Sequence, residues 1–251
     1  MDYYFIGYRH FYNSGNGKHP LHYAASCGQL DSVNFLLVTC PDHINALKRA
    51  DWTPLMMAVA KPHSIEICKI LLENGADVKL VNKDGWTPLH ISARTGDHDT
   101  FFTLLSTAPE LLEKFSKNGR SIMNTLCLHG HHKIFSKLFD LYPKLCSHLA
   151  RDRLIFHDIA RSKSPEILNI FAKLSQYFRP ADWLVSDRAG FTPLHAAAQV
   201  RDNQTHNKIT YFFCISGRSS GKFQKYFKNC WRETSGCADG NFKNVIATFG
   251  V

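Results

Sequence analysis

A segment of about 34 residues recurs through this 251-residue chain and limits the folds that the chain can adopt. Its best copies read DGWTPLHISARTGD at 84–97, GKHPLHYAASCGQ at 17–29 and AGFTPLHAAAQ at 189–199. Counted from the position of Thr87, the copies begin at 19, 53, 87, 121, 154 and 192, with spacings of 34, 34, 34, 33 and 38. A fixed period of this length indicates small units that bury their apolar faces only against neighbouring units. We therefore predict a repeat array rather than a domain around one central core.

Each copy has the pattern of two helices. Thr is a good N-cap and Pro suits the first helical position, because its missing N–H would have no partner there. Gly28, Gly96 and Gly130 stand where the first helix must end, as glycine does after a helix. Copies four and five have lost Thr and Pro, so we expect their first helices to be less well capped. The predicted second helices contain SVNFLLV, IEICKILLE, TFFTLL, KIFSKLF and EILNIFAKL.

Composition favours an ordinary globular protein in a reducing compartment. Of all residues, 44% are hydrophobic and 20% are charged, and the longest apolar runs are far shorter than the roughly 18 residues of a membrane span. The start, MDYYFIGYRHF, lacks the features of a signal peptide. The eight cysteines form no framework of close pairs, and Cys27, Cys68 and Cys127 fall inside repeat helices, where we expect buried thiols. We predict a cytoplasmic location, with the nucleus as the alternative.

The recurring Thr-Pro-Leu-His-x-Ala frame resembles that of the ankyrin-repeat family over residues 17–205. The resemblance implies an all-α solenoid of about six repeats, in which helix-turn-helix units are joined by β-turn or hairpin loops. It also implies hydrogen bonds between repeats from His22, His90, His157 and His195. Two segments, ALKRADWTPLMMAV and LVNKDGWTPLHISARTGD, resemble a family member that is associated with an alanyl-tRNA synthetase. Such a synthetase is therefore a candidate partner.

In this family, partners contact the turn tips and the exposed side of the first helices, the concave face. The position before Thr and the positions seven and eight after it should face that surface. Their side chains are mainly aromatic or cationic, types that are enriched at interface hot spots or pair with carboxylates. We therefore predict a protein partner with an acidic or mixed-charge surface. The predicted partner-binding residues are Lys18, Trp52, Lys61, Trp86, Arg94, Arg120, Arg153, Arg161 and Phe191.

Two questions about this surface stay open from sequence. Trp52 and Trp86 could be mainly packing residues, because long side chains before Thr can cover the neighbouring turn. The same cations and aromatics could instead contact nucleic acid or ribonucleoprotein, with bases stacked on Trp. Net charge is +9, but residues 201–251 contribute +5 of it, with eight Lys or Arg against three Asp or Glu. We predict protein binding and treat nucleic acid as the alternative.

No catalytic, metal or cofactor site is predicted. GRSSG at 217–221 matches the G-x-S-x-G pattern of a nucleophile elbow, but no His follows it to complete a catalytic triad. CLHGHH at 127–132 lacks a second ligand pair at a spacing usual for zinc. The lysines at the turn tips, Lys48, Lys83 and Lys117, are expected to be solvated and unactivated. The sequence thus predicts a non-enzymatic scaffold.

The ends do not follow the repeat. Residues 1–16 form an irregular, aromatic segment, and 206–251 form an atypical basic, aromatic tail without the frame. Two explanations of the tail stay open: a specialised extension, or sequence that an incorrect gene model has joined to the array.

Overall fold

The structure is a computed structural model that describes residues 17–143, 145, 152, 154–162, 164–173 and 185–198. Within these residues it contains α-helices, two short 3₁₀ helices at Pro41–His43 and Pro109–Glu113, and no strand longer than an isolated bridge. The chain divides into two compact units, Met1–Ile122 and Met123–Val251. The helices of the first unit are α1 Pro20–Cys27, α2 Leu30–Thr39, α3 Pro54–Val59, α4 Ile65–Glu73, α5 Pro88–Thr95 and α6 His98–Thr107. Those of the second are α7 Ile122–His129, α8 His132–Leu141, α9 Ile155–Arg161, α10 Pro165–Lys173 and α11 Pro193–Ala198.

Helix ends follow the predicted chemistry. The side chain of Thr53 accepts a hydrogen bond from the backbone N–H of Met56 at 3.2 Å, and Thr87 caps α5 in the same way. Proline occupies the first position of α1, α3, α5 and α11. Gly28 ends α1 in the left-handed conformation, with φ of 75°. By contrast, Leu154 stands before α9 without a side-chain cap, as the loss of Thr predicts. The all-α repeat fold is therefore confirmed, including its second helices.

Small residues on the first helices allow close packing between repeats. In the first unit α1 packs against α3 and α3 against α5, while the second helices pack in the same order. We call the position of Thr87 and its equivalents in the other copies the Thr slot. The residues five and six positions after the Thr slot lie at these contacts and are buried, as are Ala24 and Ala25 of α1 and Ala58 of α3. In the second unit Cys127 occupies this position with no exposed surface. Apolar burial at these contacts is what holds one repeat to the next.

The prediction of buried thiols is confirmed for Cys68 and Cys127 and wrong for Cys27. Cys68 is part of α4 and is fully buried, and burial raises the pKa of its thiol to about 11. Cys27 is the last residue of α1 and is exposed, because it lies two positions beyond the small pair that contacts α3. Cys27 is therefore a free surface thiol.

Backbone hydrogen bonds join successive turns in the first unit. The N–H of Lys83 donates to the carbonyl of Ala50, and the N–H of Lys117 donates to the carbonyl of Asp84, both at 3.0 Å. Each turn is closed by its own bond, such as that from the N–H of Asn82 to the carbonyl of Trp86 at 3.0 Å. Equivalent turns thus meet edge to edge, and residues 34 apart in sequence occupy equivalent places.

Buried imidazoles form a second link between repeats. Nε2 of His22 lies 3.0 Å from the carbonyl oxygen of Trp52, and Nε2 of His157 lies 2.8 Å from that of Phe191. The backbone N–H of His19 donates to Nδ1 of His22 at 3.2 Å, so the neutral ring with its hydrogen on Nε2 satisfies both contacts. The hydrogen bonds implied by the family resemblance are confirmed at these two positions.

Burial keeps the imidazoles of His22 and His90 uncharged. The pKa values of His22 and His90 are each lowered to about 4, mainly because burial disfavours the charged ring. Backbone carbonyls oppose the shift in both cases, from Trp52 for His22 and from Arg120 for His90. Among the described residues, Nε2 of His90 has no hydrogen-bond partner of regular geometry. Its contact with the backbone carbonyl of the next repeat is therefore less well formed than that of His22.

We expect Gly85→Ala to lower the free energy of unfolding by about 3 kcal/mol. Gly85 has φ of +77°, and an added Cβ would lie 2.9 Å from the backbone nitrogen of Lys117 in the next turn. Gly75→Ala is the control, because its φ is +91° but an added Cβ meets no atom within 4 Å. It should cost about 1–2 kcal/mol, from backbone strain alone. Urea unfolding followed by circular dichroism gives both values, and equal losses would contradict the turn-to-turn contact.

Acidification should destabilise the fold through the buried imidazoles. The folded-state pKa of His90 lies below the ordinary 6.5, so the unfolded chain binds the proton first as pH falls. The free energy of unfolding should therefore fall between pH 6.5 and about 4, by roughly 2 kcal/mol for each of His22 and His90 from pH 6.5 to 5. His90→Asn should reduce this loss, since Asn124 occupies the equivalent position of the fourth repeat. Exposed His63→Asn is the control, and the same pH dependence in both variants would refute this explanation.

Candidate partner-binding surface

The first unit presents the residue before each Thr slot at equivalent places on successive turns. Lys18, Trp52, Trp86 and Arg120 are all half-buried, with one face toward solvent. The turns bring them together as the sequence predicts, since backbone hydrogen bonds hold the turns in register. Together with the turn-tip lysines they form what we call the turn surface, which comprises Lys18, Lys48, Trp52, Lys83, Trp86, Lys117 and Arg120.

Two ammonium groups of the turn surface lie over aromatic rings. Nζ of Lys18 is 4.6 Å from the ring centroid of Tyr23, and Nζ of Lys48 is 5.3 Å from that of Trp52. Such cation–π contacts contribute about 0.5–1 kcal/mol at exposed sites and fix the position of the charge. The contact of Lys48 follows from the bridge that pairs it with Trp52 across the turn.

Lys48 differs from the other turn-tip lysines. Lys83 and Lys117 are exposed as predicted, but Lys48 is half-buried. Burial and repulsion from Lys18 lower the pKa of Lys48 below its ordinary value. The expectation of a fully solvated lysine is therefore wrong at this position. The sequence hides the effect, because Lys18 and Lys48 are 30 residues apart and meet only when the turns stack.

The turn that carries Lys48 also lacks the residues that stabilise its counterparts. In the next two turns the equivalent residues, Asn82 and Ser116, accept hydrogen bonds from the backbone of their own turns. Lys48 has no acceptor to do the same. Ala50 and Asp51 follow it with φ of 68° and 60°, a conformation that favours glycine. The backbone of this turn is therefore less stable than that of the next two turns. Local strain of this kind often marks a functional position.

Lys61 and Arg94 extend the cationic character toward the ends of the first helices. Both are exposed, and Arg94 lies in the last turn of α5. Lys61 borders a shallow groove that is also lined by Cys27, His63 and Glu66.

Few carboxylates balance the turn surface. The lysine–carboxylate ion pairs described in the first unit lie elsewhere: Lys69 with Glu66 at 3.2 Å and Lys79 with Glu110 at 2.8 Å, both exposed. Among the described residues, Lys18, Lys48, Lys83 and Lys117 make no ion pair with a carboxylate. Asp51 and Asp84 are the exposed acids within these turns. The surface is therefore cationic and aromatic, which suits a partner rich in carboxylates.

In the second unit, the predicted residues have different surroundings. Phe191 is 41% exposed, and its ring meets that of His195 edge to face at 5.7 Å. Arg161 lies 3.9 Å from a carboxylate oxygen of Asp158 and 3.7 Å from one of Asp187, so it joins α9 to the turn before α11. These pairs favour a structural role for Arg161. Arg153 lies outside the described residues, as do the segments 1–16 and 206–251.

Within the described part of the chain, no group of three or more His, Cys, Asp or Glu side chains could hold a metal ion. No helix found there combines the length and the apolar character that crossing a bilayer requires. What the turn surface offers chemically is positive charge, aromatic faces and hydrogen-bond donors. Groups of these kinds bind anionic and planar chemical groups.

Known proteins with similar sequences share the repeat. The family model for three copies of the ankyrin repeat matches residues 3–82 and 55–152. Ankyrin repeat protein nuc-2 of Neurospora crassa is 30% identical over 185 residues, which are 73% of this chain and 14% of that protein. The human transient receptor potential cation channel subfamily A member 1 is 28% identical over 188 residues, covering 72% of this chain and 16% of the channel. The human Notch-regulated ankyrin repeat-containing protein is 32% identical over 92 residues, 37% of this chain and 75% of that relative.

The chain thus spans a small fraction of the first two relatives and most of the third. The narrower resemblance to ankyrin repeat domain-containing protein sixteen, the synthetase-associated member, is not shown by these comparisons. What they share with the chain is the repeat itself, in the frame that the helices and turns display. The chain belongs to the ankyrin-repeat family, whose repeats commonly mediate protein–protein interaction.

Proposed function

We propose that this protein is a non-catalytic scaffold that binds a protein partner with an acidic or mixed-charge surface. The binding site is the turn surface of the first unit, extended by Lys61 and Arg94. The observation that carries the proposal is the row of cationic and aromatic side chains on stacked turns, whose lysines make no ion pair with any carboxylate of the described residues. In the second unit Arg153 and Phe191 are further candidates, and Arg161 is a weaker one because its pairs with Asp158 and Asp187 favour a structural role. A cytoplasmic location belongs to the same proposal.

The tryptophan rings can serve a partner without being needed for the stacking of repeats. The carbonyl of Trp52, and not its ring, accepts the hydrogen bond from His22. In the same position Lys18, Arg120 and Phe191 stand before other first helices, so the fold tolerates different side chains there. Trp contributes strongly to interfaces because it buries a large, rigid surface at low entropic cost. These facts favour contact with a partner over packing alone.

The family resemblance offers one concrete partner, an alanyl-tRNA synthetase. The names of the relatives described above do not include a synthetase. The chemistry of the turn surface is compatible with any protein that displays exposed carboxylates near an apolar contact. A purified synthetase therefore enters the test as one defined arm beside an unbiased capture.

We expect the Trp52→Ala, Trp86→Ala double variant to lose its partner while it stays folded. Immobilised parent protein, the double variant and Phe35→Ala are compared by affinity capture and quantitative mass spectrometry. Phe35 is the matched aromatic control, since it is 51% exposed on α2 and lies outside the turn surface. Loss of two interface tryptophans should lower capture of a specific partner at least about tenfold. Circular dichroism establishes that each variant retains its helices.

Three further observations make the outcome decisive. Equal capture by all three proteins would refute the turn surface as the binding site. Nuclease treatment that removes the captured material would favour the nucleic-acid alternative. Capture of purified alanyl-tRNA synthetase by the parent and by Phe35→Ala, but not by the double variant, would support that partner.

A further inference from the structure

The first two turns bring two ammonium groups together. A Cβ built on Gly17 would lie 3.7 Å from the carbonyl oxygen of Leu47 and 3.7 Å from the Cα of Lys48, so the backbones are in contact. Lys18 follows Gly17 directly, and its charge repels that of Lys48 strongly enough to contribute to the lowered pKa of Lys48. Residues 30 positions apart thus form a pair of like charges at one end of the turn surface.

Both charges are held in place by aromatic rings. Lys18 lies over Tyr23 and Lys48 lies over Trp52, so each side chain has already lost part of its freedom before any ligand arrives. Neither makes an ion pair with a carboxylate among the described residues. The nearby rings of His19 and His43, 4.4 Å apart, add no negative charge. A fixed, uncompensated pair of cations attracts anions more strongly than two separate, mobile lysines.

The strained backbone points to the same pair. Lys48 stands where Asn82 and Ser116 close their own turns by accepting hydrogen bonds from the backbone, and positive φ angles follow at Ala50 and Asp51. An Asn at position 48 would suit the turn better than Lys does. We infer that the side chain of Lys48 serves a contact outside its own turn.

We propose that Lys18 and Lys48, together with the rings of Tyr23 and Trp52, form an anchor that takes two neighbouring carboxylates from an acidic segment of the protein partner. The inference rests on the proposed function and names the residues that make the first contact with the partner. Each carboxylate pairs with one ammonium group, and binding also offsets the repulsion between the two ammonium groups. The aliphatic parts of two adjacent Glu side chains can lie against the exposed parts of the two rings. Lys83 and Lys117, which are exposed and unpaired, attract the rest of the segment without fixing it.

The first test uses a fluorescein-labelled peptide of about twelve residues with paired glutamates between Gly-Ser spacers, and the same peptide with Gln for Glu. Fluorescence anisotropy at low salt measures binding to the full chain. The Lys18→Gln, Lys48→Gln variant should lose about tenfold or more in affinity. The Lys83→Gln, Lys117→Gln control removes the same charge from the same surface and should lose less than about threefold. Lys18→Arg should retain most of the affinity, because it keeps the positive charge.

A second variant separates binding from folding. Lys48→Asn should raise the urea midpoint, because Asn can close the turn as Asn82 does, and should still weaken the glutamate peptide about tenfold. Ala50→Gly is the matched control. It relieves the positive φ without changing charge, so it should raise the midpoint and leave the affinity unchanged.

Several outcomes would overturn the anchor. They are equal losses from the two lysine pairs, unchanged affinity in Lys48→Asn, equal binding of the Gln peptide, or no binding of the Glu peptide to the parent. Tighter binding of a twelve-residue oligothymidylate than of the Glu peptide would also overturn it, in favour of phosphate as the anion. In each case the capture experiment with the tryptophan variant still decides separately whether the turn surface binds a protein.

Discussion

The arrangement of the first unit depends on contacts that one repeat makes to the backbone of the next. The imidazole of His22 reaches the carbonyl of Trp52, and the amides of Lys83 and Lys117 reach carbonyls of the preceding turns. No single repeat of this kind can bury both of its faces, so these bonds, with the apolar contacts between first helices, define where each turn lies. The positions of the turn-surface side chains follow from this backbone register. Function is therefore built from residues that are distant in sequence and equivalent in structure.

Much of this fold can be predicted from the sequence, because its local chemistry agrees with its period. Thr, Pro and Gly occupy the positions that begin and end the first helices, and apolar runs locate the second helices. Copies with weakened frames still form helices. At α9, which has no side-chain cap, burial of Phe156 compensates for its loss. Periodicity thus determines the elements even where propensity and capping are poor.

The sequence was less informative about surroundings that arise only from stacking. Cys27 has the helical position of a core residue when helices are considered alone, yet it lies beyond the contact with α3. Arg161 resembles Lys61 in the frame, but in the second unit it pairs with Asp158 and Asp187. Lys48 resembles Lys83 and Lys117, but it meets Lys18 across adjacent turns. The contacts of Lys48 with Lys18 and of Arg161 with Asp187 join residues 30 and 26 positions apart, which a local motif does not reveal.

The link through the carbonyl of Trp52 has a consequence for how such a surface can change over evolutionary time. A backbone oxygen is present whatever side chain the residue carries, so substitution at this position leaves the bond between repeats available. Position 52, and position 191 in the second unit, can then vary one at a time, and each change alters the chemistry of one patch without altering its location. A chain of this design can acquire a new ligand specificity by successive single substitutions, with folding under separate selection.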